Sequence, residues 1–243
     1  MATSARKQRE FQQREQAILD VAREMLAERG YLGLNMDRIA EALEYSKGTI
    51  YQHFSSKEDL LMALAVQTSE KRPSMFARAA AFDGSSRERV TAIGCAAELF
   101  VQLFPDHFRV EQILQLTSIW EKTSEQRQQL LRACQSRCLT IVSGIVRDAI
   151  DEGDLELPEF MTPEDLVFGM WSMSFGGYSI IATSEPLTEL GIHDAFMTVR
   201  KNMMAMLDGY GWRPLSHEWD YLATFERVQH EVFADECRAL ITT

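Results

Sequence analysis

The sequence lacks the signatures of several large classes of protein. It has only four cysteines in 243 residues, and residues 1–30 contain no apolar core of a secretory signal, so we expect a cytoplasmic chain with reduced thiols. No run of 18 apolar residues is present, so we predict no membrane span. We find no phosphate-binding glycine loop, no HExxH, no CxxC and no GxSxG motif. We therefore predict that the chain is not an enzyme and holds no metal or cofactor.

Isolated histidines and cysteines do not change this expectation. His107 could be a ligand in a metal or effector site, but a lone histidine at a helix start is more often a surface residue. Cys134 and Cys138 are spaced to lie side by side on a helix, yet no histidine stands within ten residues of them. Two small packing residues are therefore the simpler interpretation of that pair.

Alternating strand patterns are absent too, and every periodic segment has helical spacing. Serine, threonine, proline and glycine at the segment ends match helix start and stop signals. We therefore predict an all-α fold. The predicted helices, besides the pair described below, cover residues 12–29, 56–72, 85–105, 107–120, 124–152, 163–183, 193–209 and 216–240.

Charge is distributed unevenly along the chain. The whole chain carries a net charge of −11, but residues 1–64 carry only −1 and the remainder −10. Positive residues cluster near the start, at Arg6, Lys7, Arg9 and Arg14, where they could reach nucleic-acid phosphate. A solvated, loose tail over residues 1–11 explains the same composition equally well.

The most informative stretch is residues 35–54, NMDRIAEALEYSKGTIYQHF. It predicts two short helices joined by a tight turn. Asn35 suits the cap of the first helix, whose apolar face has the spacing i, i+3, i+4, i+7. On the second helix Ile50 and Phe54 face the first. The apolar face consists of Met36, Ile39, Ala40 and Leu43.

The outer face of the second helix is short and polar. Gly48 and Gln52 lie opposite Ile50 on a helix of 3.6 residues per turn. A helix that buries one side and presents such groups on the other suits a DNA major groove, where Gln52 could bind adenine through two hydrogen bonds. Gly48 could instead be a packing glycine. The flanking polar residues are Lys47, Thr49, Tyr51 and His53.

This segment resembles the DNA-binding domain of the TetR (tetracycline-repressor) family. The family often has glycine in the inter-helix turn, where this chain has Glu44, and threonine as the first cap, where it has Asn35. The match covers about residues 12–64. It rests on Gly30-Tyr31, Ile39-Ala40, Ser46-Lys47-Gly48-Thr49-Ile50-Tyr51, His53-Phe54, Ser56-Lys57-Glu58 and Leu60-Leu61.

The resemblance implies an N-terminal three-helix helix-turn-helix module (residues 1–64) and a larger helical domain (residues 65–243) for effector binding and dimerisation. It implies a homodimer on a palindromic operator in double-stranded DNA, controlled by a small molecule. The helix from Ser56 to Arg72 is the predicted connection and the only direct covalent route between the domains. The residues predicted to contact DNA are Asn35, Ser46, Lys47, Gly48, Thr49, Tyr51, Gln52, His53 and Lys57.

Residues 163–183 form a second informative stretch because they are apolar almost all round, which predicts burial on all sides. In the family that the chain resembles, the last two core helices form a four-helix dimer interface, and 163–183 with 193–209 fit that place. Gly176-Gly177 would allow close helix approach. Interior packing is the alternative. The predicted interface residues are Phe168, Trp171, Phe175, Tyr178 and Met203.

Aromatic residues of the larger domain also suggest an apolar effector pocket. Two hypotheses follow: a repressor released by a small apolar or aromatic ligand, or a DNA-binding protein whose acidic helical domain recruits a partner protein. The extra helix at 216–240 favours the second slightly. The predicted pocket residues are Phe100, Phe104, Phe108, Leu116, Trp120, Ile141, Met170, Trp171 and Ser174.

Overall fold

The structure, a computed structural model, describes residues 2–115, 117–183 and 187–241. Within these ranges the regular structure is entirely helical, which confirms the predicted all-α class. In chain order the helices are α1 (Ala2–Gly33), α2 (Met36–Ala42), α3 (Lys47–His53), α4 (Lys57–Ser69), α5 (Lys71–Ala80), α6 (Ser86–Leu103), α7 (Pro105–Leu114), α8 (Thr117–Trp120), α9 (Glu125–Asp151), α10 (Pro163–Thr183), α11 (Ala195–Gly209), α12 (Tyr221–Glu231) and α13 (Ala234–Ile241), with a short 3-10 helix at Leu187–Leu190.

Two compact units make up the chain. The first unit comprises residues 1–69 and 106–132, and the second comprises residues 70–105 and 133–243. The chain thus passes from one unit to the other three times, so the predicted single covalent route is wrong. The predicted first domain, residues 1–64, did not include residues 106–132.

The predicted helix from Ser56 to Arg72 is in fact two helices. It is interrupted at Glu70, between α4 and α5. Pro73 does not end a helix but lies in the first turn of α5, where its missing N–H removes no intrahelical hydrogen bond. The start is as predicted, since the Ser56 hydroxyl accepts a hydrogen bond from the Asp59 backbone N–H at 3.0 Å.

The core of the first unit joins α1 to the helices that follow it. Ile18 and Ala22 of α1 are fully buried beside Ile39, Ile50 and Phe54. Burying an aliphatic or aromatic side chain of this size stabilises a fold by about 1.5–3 kcal/mol. Residues far along the chain complete this core: Val110, Leu114, Ile119 and Leu131.

The core of the second unit is built around α6, which begins at the predicted place, with a capping box between Ser85 and Glu88. The predicted helix 216–240 is divided into α12 and α13, and Phe233, which lies between them, is fully buried. Arg87 is buried as well and donates hydrogen bonds to the Trp212 carbonyl at 2.9 Å and to Asp208 at 2.7 Å. The C-terminal helices are therefore part of this core.

Helix α10 is not buried on all sides as its composition predicted. Leu166, Val167, Met170 and Tyr178 are buried. Of the predicted pair Gly176-Gly177, only Gly177 allows a close approach: a Cβ there would lie 2.6 Å from Val199 of α11, whereas a Cβ on Gly176 would meet nothing within 4 Å. Other apolar side chains of α10 face outward. Those clearly exposed are Phe168 (62%), Trp171 (41%) and Ile180 (53%).

By length and composition alone, α10 is also long and apolar enough to cross a membrane. Its glycines and serines interrupt the apolar residues without making the helix polar, which is why α10 contains no run of 18 consecutive apolar residues. Its buried side packs with α6 and α11 in the second unit. We therefore treat α10 as a helix of a folded domain.

Candidate nucleic-acid interface

Helices α2 and α3 form the predicted helix-turn-helix, and both have the predicted caps. The Asn35 side-chain oxygen accepts hydrogen bonds from the backbone N–H groups of Asp37 at 2.8 Å and Arg38 at 3.3 Å. The Ser46 hydroxyl accepts one from the Thr49 backbone N–H at 3.1 Å. Asn35 and Ser46 are thus occupied in starting the two helices.

The turn between these helices contains a strained residue. Glu44 has a φ of 55°, in the left-handed region that costs a residue with a Cβ about 1–2 kcal/mol. The family that the chain resembles often has glycine in this turn, so the structure explains that preference. Glu44 keeps the turn geometry at an energetic cost.

Replacing Glu44 by glycine is therefore expected to stabilise the protein. Glycine removes the strain of the left-handed conformation from the folded state, but it also makes the unfolded chain more flexible, which lowers stability. Because the first effect is larger, we expect the free energy of unfolding to rise by about 0.5–1 kcal/mol. Urea unfolding measures this change. The matched control is Glu41→Gly, at an exposed helical position of α2. Its free energy of unfolding should fall by about 1 kcal/mol. If both variants lost stability to the same extent, Glu44 would not be strained.

The outward face of α3 is as predicted at three positions. Tyr51 is 51% exposed and Gln52 is exposed. Gly48 is exposed too, and a Cβ there would meet only the Ser46 hydroxyl at 3.7 Å, so Gly48 is not a packing glycine. Ile50 and Phe54 on the opposite side are fully buried. We call Gly48, Tyr51 and Gln52 the reading face.

Both lysines predicted to contact DNA have partners within the first unit. The Lys47 ammonium donates a hydrogen bond to Asp37 at 2.6 Å, which raises the pKa of Lys47. The Lys57 ammonium donates one to the Tyr31 carbonyl at 2.8 Å and lies over the Tyr31 ring. Lys57 therefore ties α4 to the end of α1, a role that the sequence did not indicate.

His53 differs from expectation because its side chain is almost completely buried rather than outward-facing. Its ring stacks on Phe11 of α1, with centroids 3.9 Å apart. Burial lowers the pKa of His53, an effect opposed by the Glu15 carboxylate 3.7 Å from Nδ1 and reinforced by Arg14. Phosphate contact by His53 would require this stack to open.

Asp59 has structural contacts far along the chain that the sequence did not indicate. Its carboxylate accepts hydrogen bonds from the Ser124 backbone N–H at 3.1 Å and from Arg127 at 2.7 Å. Burial would raise the pKa of Asp59, but these two hydrogen bonds outweigh burial and hold its pKa below the usual value. The first turn of α4 is thereby fixed to the start of α9.

The predicted effector residues do not all fall in one unit. Phe108 and Trp120 belong to the first unit, and Leu116 lies outside the described residues. In the second unit Phe100 and Phe104 have ring centroids 5.1 Å apart, and Met170 and Ile141 belong to the same apolar cluster. The Ser174 hydroxyl donates to the Met170 carbonyl within α10, whereas Trp171 points outward.

Of the predicted dimer residues, Phe168, Trp171 and Phe175 form a chain of edge-on aromatic contacts along α10. Met203 is half-buried. Tyr178 is buried and packs on Phe196 of α11, with centroids 5.7 Å apart. It therefore supports the α10–α11 pair from within.

The part of the chain that the structure describes contains no group of three or more His, Cys, Asp or Glu side chains suited to hold a metal. His107 is buried, with Nε2 3.2 Å from Glu111, so it is not a surface residue as the simpler interpretation had it. Cys134 and Cys138 are buried thiols.

Comparison with known proteins agrees with this geometry. Residues 18–64 match the model of the family described as bacterial regulatory proteins, tetR family. The chain is 29% identical over 192 residues to the fatty acid metabolism regulator protein of Bacillus subtilis, covering 73% of this chain and 94% of that one. It is 46% identical over 56 residues to the transcriptional repressor AcnR of Corynebacterium diphtheriae, covering 23% and 30%.

Solved structures show the same fold. A bacterial regulatory protein of the tetR family from Rhodococcus RHA1 superimposes with a TM-score of 0.62 at 18% identity, covering 82% of this chain and 97% of that one. That protein is almost fully covered, whereas about a fifth of this chain has no counterpart in it.

Proposed function

We propose that the chain acts as a homodimeric repressor of the tetR type on a palindromic DNA operator in the cytoplasm. It is not an enzyme, as its curated relatives are regulators. The reading face carries the proposal: Gly48, Tyr51 and Gln52 are exposed on a helix whose other side is fully buried. Such a helix enters the major groove and contacts base edges.

Sequence preference is expected to depend on Gln52. Its amide can bind adenine through two hydrogen bonds, which discriminates by about 1–3 kcal/mol against a wrong base. Gln52→Ala should therefore relax the preference at one position of each half-site, measured by selecting operators from a random DNA pool with wild type and variant.

Tyr51→Phe is the control for this experiment. The Tyr51 hydroxyl is proposed to bind phosphate, which positions the helix without reading sequence, so this variant should bind all sequences more weakly and to the same extent. It is preferable to Lys57→Ala because Lys57 also holds α1 to α4. Identical selected operators for wild type and Gln52→Ala would rule out the proposed role of Gln52.

Dimerisation is proposed to occur through α10 and α11. Phe168, Trp171 and Ile180 of α10 are exposed, and apolar surface of this kind marks interaction sites. One short recognition helix reads too few bases, whereas two related by a dyad read half-sites about 34–36 Å apart or a multiple of that spacing. The operator is accordingly expected to be a palindrome.

Release by a small apolar or aromatic ligand is proposed for the second unit. Phe100, Phe104, Ile141 and Met170 form one apolar cluster there, and the name of the Bacillus subtilis relative adds fatty acids to the compounds worth testing. A ligand that favours the non-binding conformation by about 1–3 kcal/mol would lower DNA affinity about 5- to 150-fold.

A thermal-shift screen with fatty acids and aromatic compounds tests this, with operator release measured for each stabilising compound. Phe104→Trp should alter both readouts. If no compound stabilises the protein and Phe104→Trp changes neither stability nor release, recruitment of a partner protein becomes the better account. The C-terminal helices provide little support for that account, because Phe225, Val228 and Phe233 are buried in the second unit.

A further inference from the structure

Helix α1 begins 16 residues before the segment that matches the family. The predicted loose tail over residues 1–11 is helical from Ala2 onward in the structure. We call residues 2–17 the α1 extension. It lies before residues 18–64, and none of the motifs that carry the family resemblance falls within it.

The α1 extension is fixed to the recognition helix α3. Phe11 stacks on His53, the last residue of α3, with an angle of 30° between the rings. The His53 side chain is almost completely buried, and Glu15, one turn after Phe11, lies 3.7 Å from the His53 Nδ1. The extension therefore lies beside the end of the helix that enters the groove.

Charge makes the α1 extension more suitable for DNA than the matched domain itself. Residues 18–64 contain five Lys and Arg against eight Asp and Glu, whereas residues 2–17 contain four against two. Within the matched domain Lys47 is also paired with Asp37, and Arg23 with Asp20. A protein that binds DNA needs cations to replace the counterions of the phosphates, and the matched domain has few unpaired ones.

The four cations divide between two faces of the helix. At about 100° per residue, Lys7 and Arg14 lie within about 60° of Phe11, whereas Arg6 and Arg9 lie about 140–160° from it. Lys7 and Arg14 are exposed, and neither has an ion pair with any residue that the structure describes. Arg6 instead pairs with Glu10 at 2.8 Å, and Arg9 bonds the Ala5 carbonyl at 3.4 Å.

We propose that Lys7 and Arg14, placed beside the recognition helix by the Phe11–His53 stack, bind the DNA backbone outside the base pairs that α3 reads. This inference rests on the proposed function, because it adds a second contact to the same operator. Lys and Arg bind phosphate oxygens without selecting bases. The α1 extension therefore supplies affinity and lengthens the footprint, while the reading face supplies sequence preference.

The test is the salt dependence of operator binding by the full-length protein, using an operator obtained by selection. The double variant Lys7→Gln, Arg14→Gln should lower the slope of log K against log salt by about 0.9 for each phosphate that the protein no longer neutralises. Arg6→Gln, Arg9→Gln makes the same charge change on the opposite face and should leave the slope close to that of wild type. Selected operator sequences should be the same for all three proteins.

The variant Phe11→Ala tests whether the position of the cations matters in addition to their charge. It keeps all four cations but removes the stack, so it should reproduce the slope change of Lys7→Gln, Arg14→Gln, with circular dichroism confirming that the helices remain. Equal slope changes in the two double variants would overturn the proposal in favour of general electrostatics, and so would an unchanged slope in Lys7→Gln, Arg14→Gln. Wild type that binds no DNA would instead contradict the proposed function itself.

Discussion

Replacing Trp171 by glutamate should convert the protein to monomers and lower its operator affinity at least about a hundredfold. A buried, unpaired carboxylate costs several kcal/mol, which is enough to prevent the proposed pairing of α10 with a second copy. A monomer contacts one half-site and lacks the second recognition helix. Sedimentation and DNA titration at the same protein concentration measure the two effects together.

Leu222→Glu is the matched control for this substitution. Leu222 of α12 is exposed to the same extent as Trp171, at 41%, but lies outside the proposed interface. This variant should remain dimeric and bind DNA as wild type does. A Trp171→Glu protein that stays dimeric would show that the apolar surface of α10 has another purpose, and loss of the dimer in both variants would show that the effect is not specific to α10.

Replacing Asp59 by asparagine should lower the free energy of unfolding by about 2–4 kcal/mol, because it leaves the partly buried Arg127 without its carboxylate partner. Chemical unfolding measures this loss. Asp235→Asn is the control, since the Asp235–Arg238 pair is largely exposed and surface pairs contribute at most about 1 kcal/mol. If the double variant Asp59→Asn, Arg127→Gln lost the sum of the two single losses, the pair would not be coupled.

The same carboxylate predicts an acid-dependent loss of stability. The pKa of Asp59 is lower in the folded protein than its ordinary value, so the unfolded chain takes up the proton first as the pH falls. The contribution of Asp59 is complete above about pH 4–5, declines below that and is lost once the folded carboxyl is protonated. Wild type should therefore lose its advantage over Asp59→Asn in acid, and a constant difference down to low pH would contradict this.

Local signals in the sequence were sufficient for the helix-turn-helix. The caps at Asn35 and Ser46 and the inward positions of Ile50 and Phe54 depend on residues at most four apart, so a single sequence contains all the information needed. The capping box at Ser85 was predictable for the same reason. These features predict which side of α3 is exposed.

Contacts between distant residues were not predictable. Asp59 and Arg127 are 68 positions apart, and nothing in the sequence near either residue shows that they meet. His53 was expected to face outward because helical phase cannot anticipate an aromatic ring from α1 that covers it. The composition of α10 indicated the amount of apolar surface but not which part of that surface stays exposed.

The discontinuous first unit has a consequence for synthesis of the protein. Its core needs Leu114, Ile119 and Leu131, so it cannot be complete when residue 69 leaves the ribosome. About 60 further residues must follow, which takes roughly 3–12 s at 5–20 residues per second. During that interval the apolar side chains of α4 lack part of their cover, and the recognition helix is made well before the unit that supports it can finish folding.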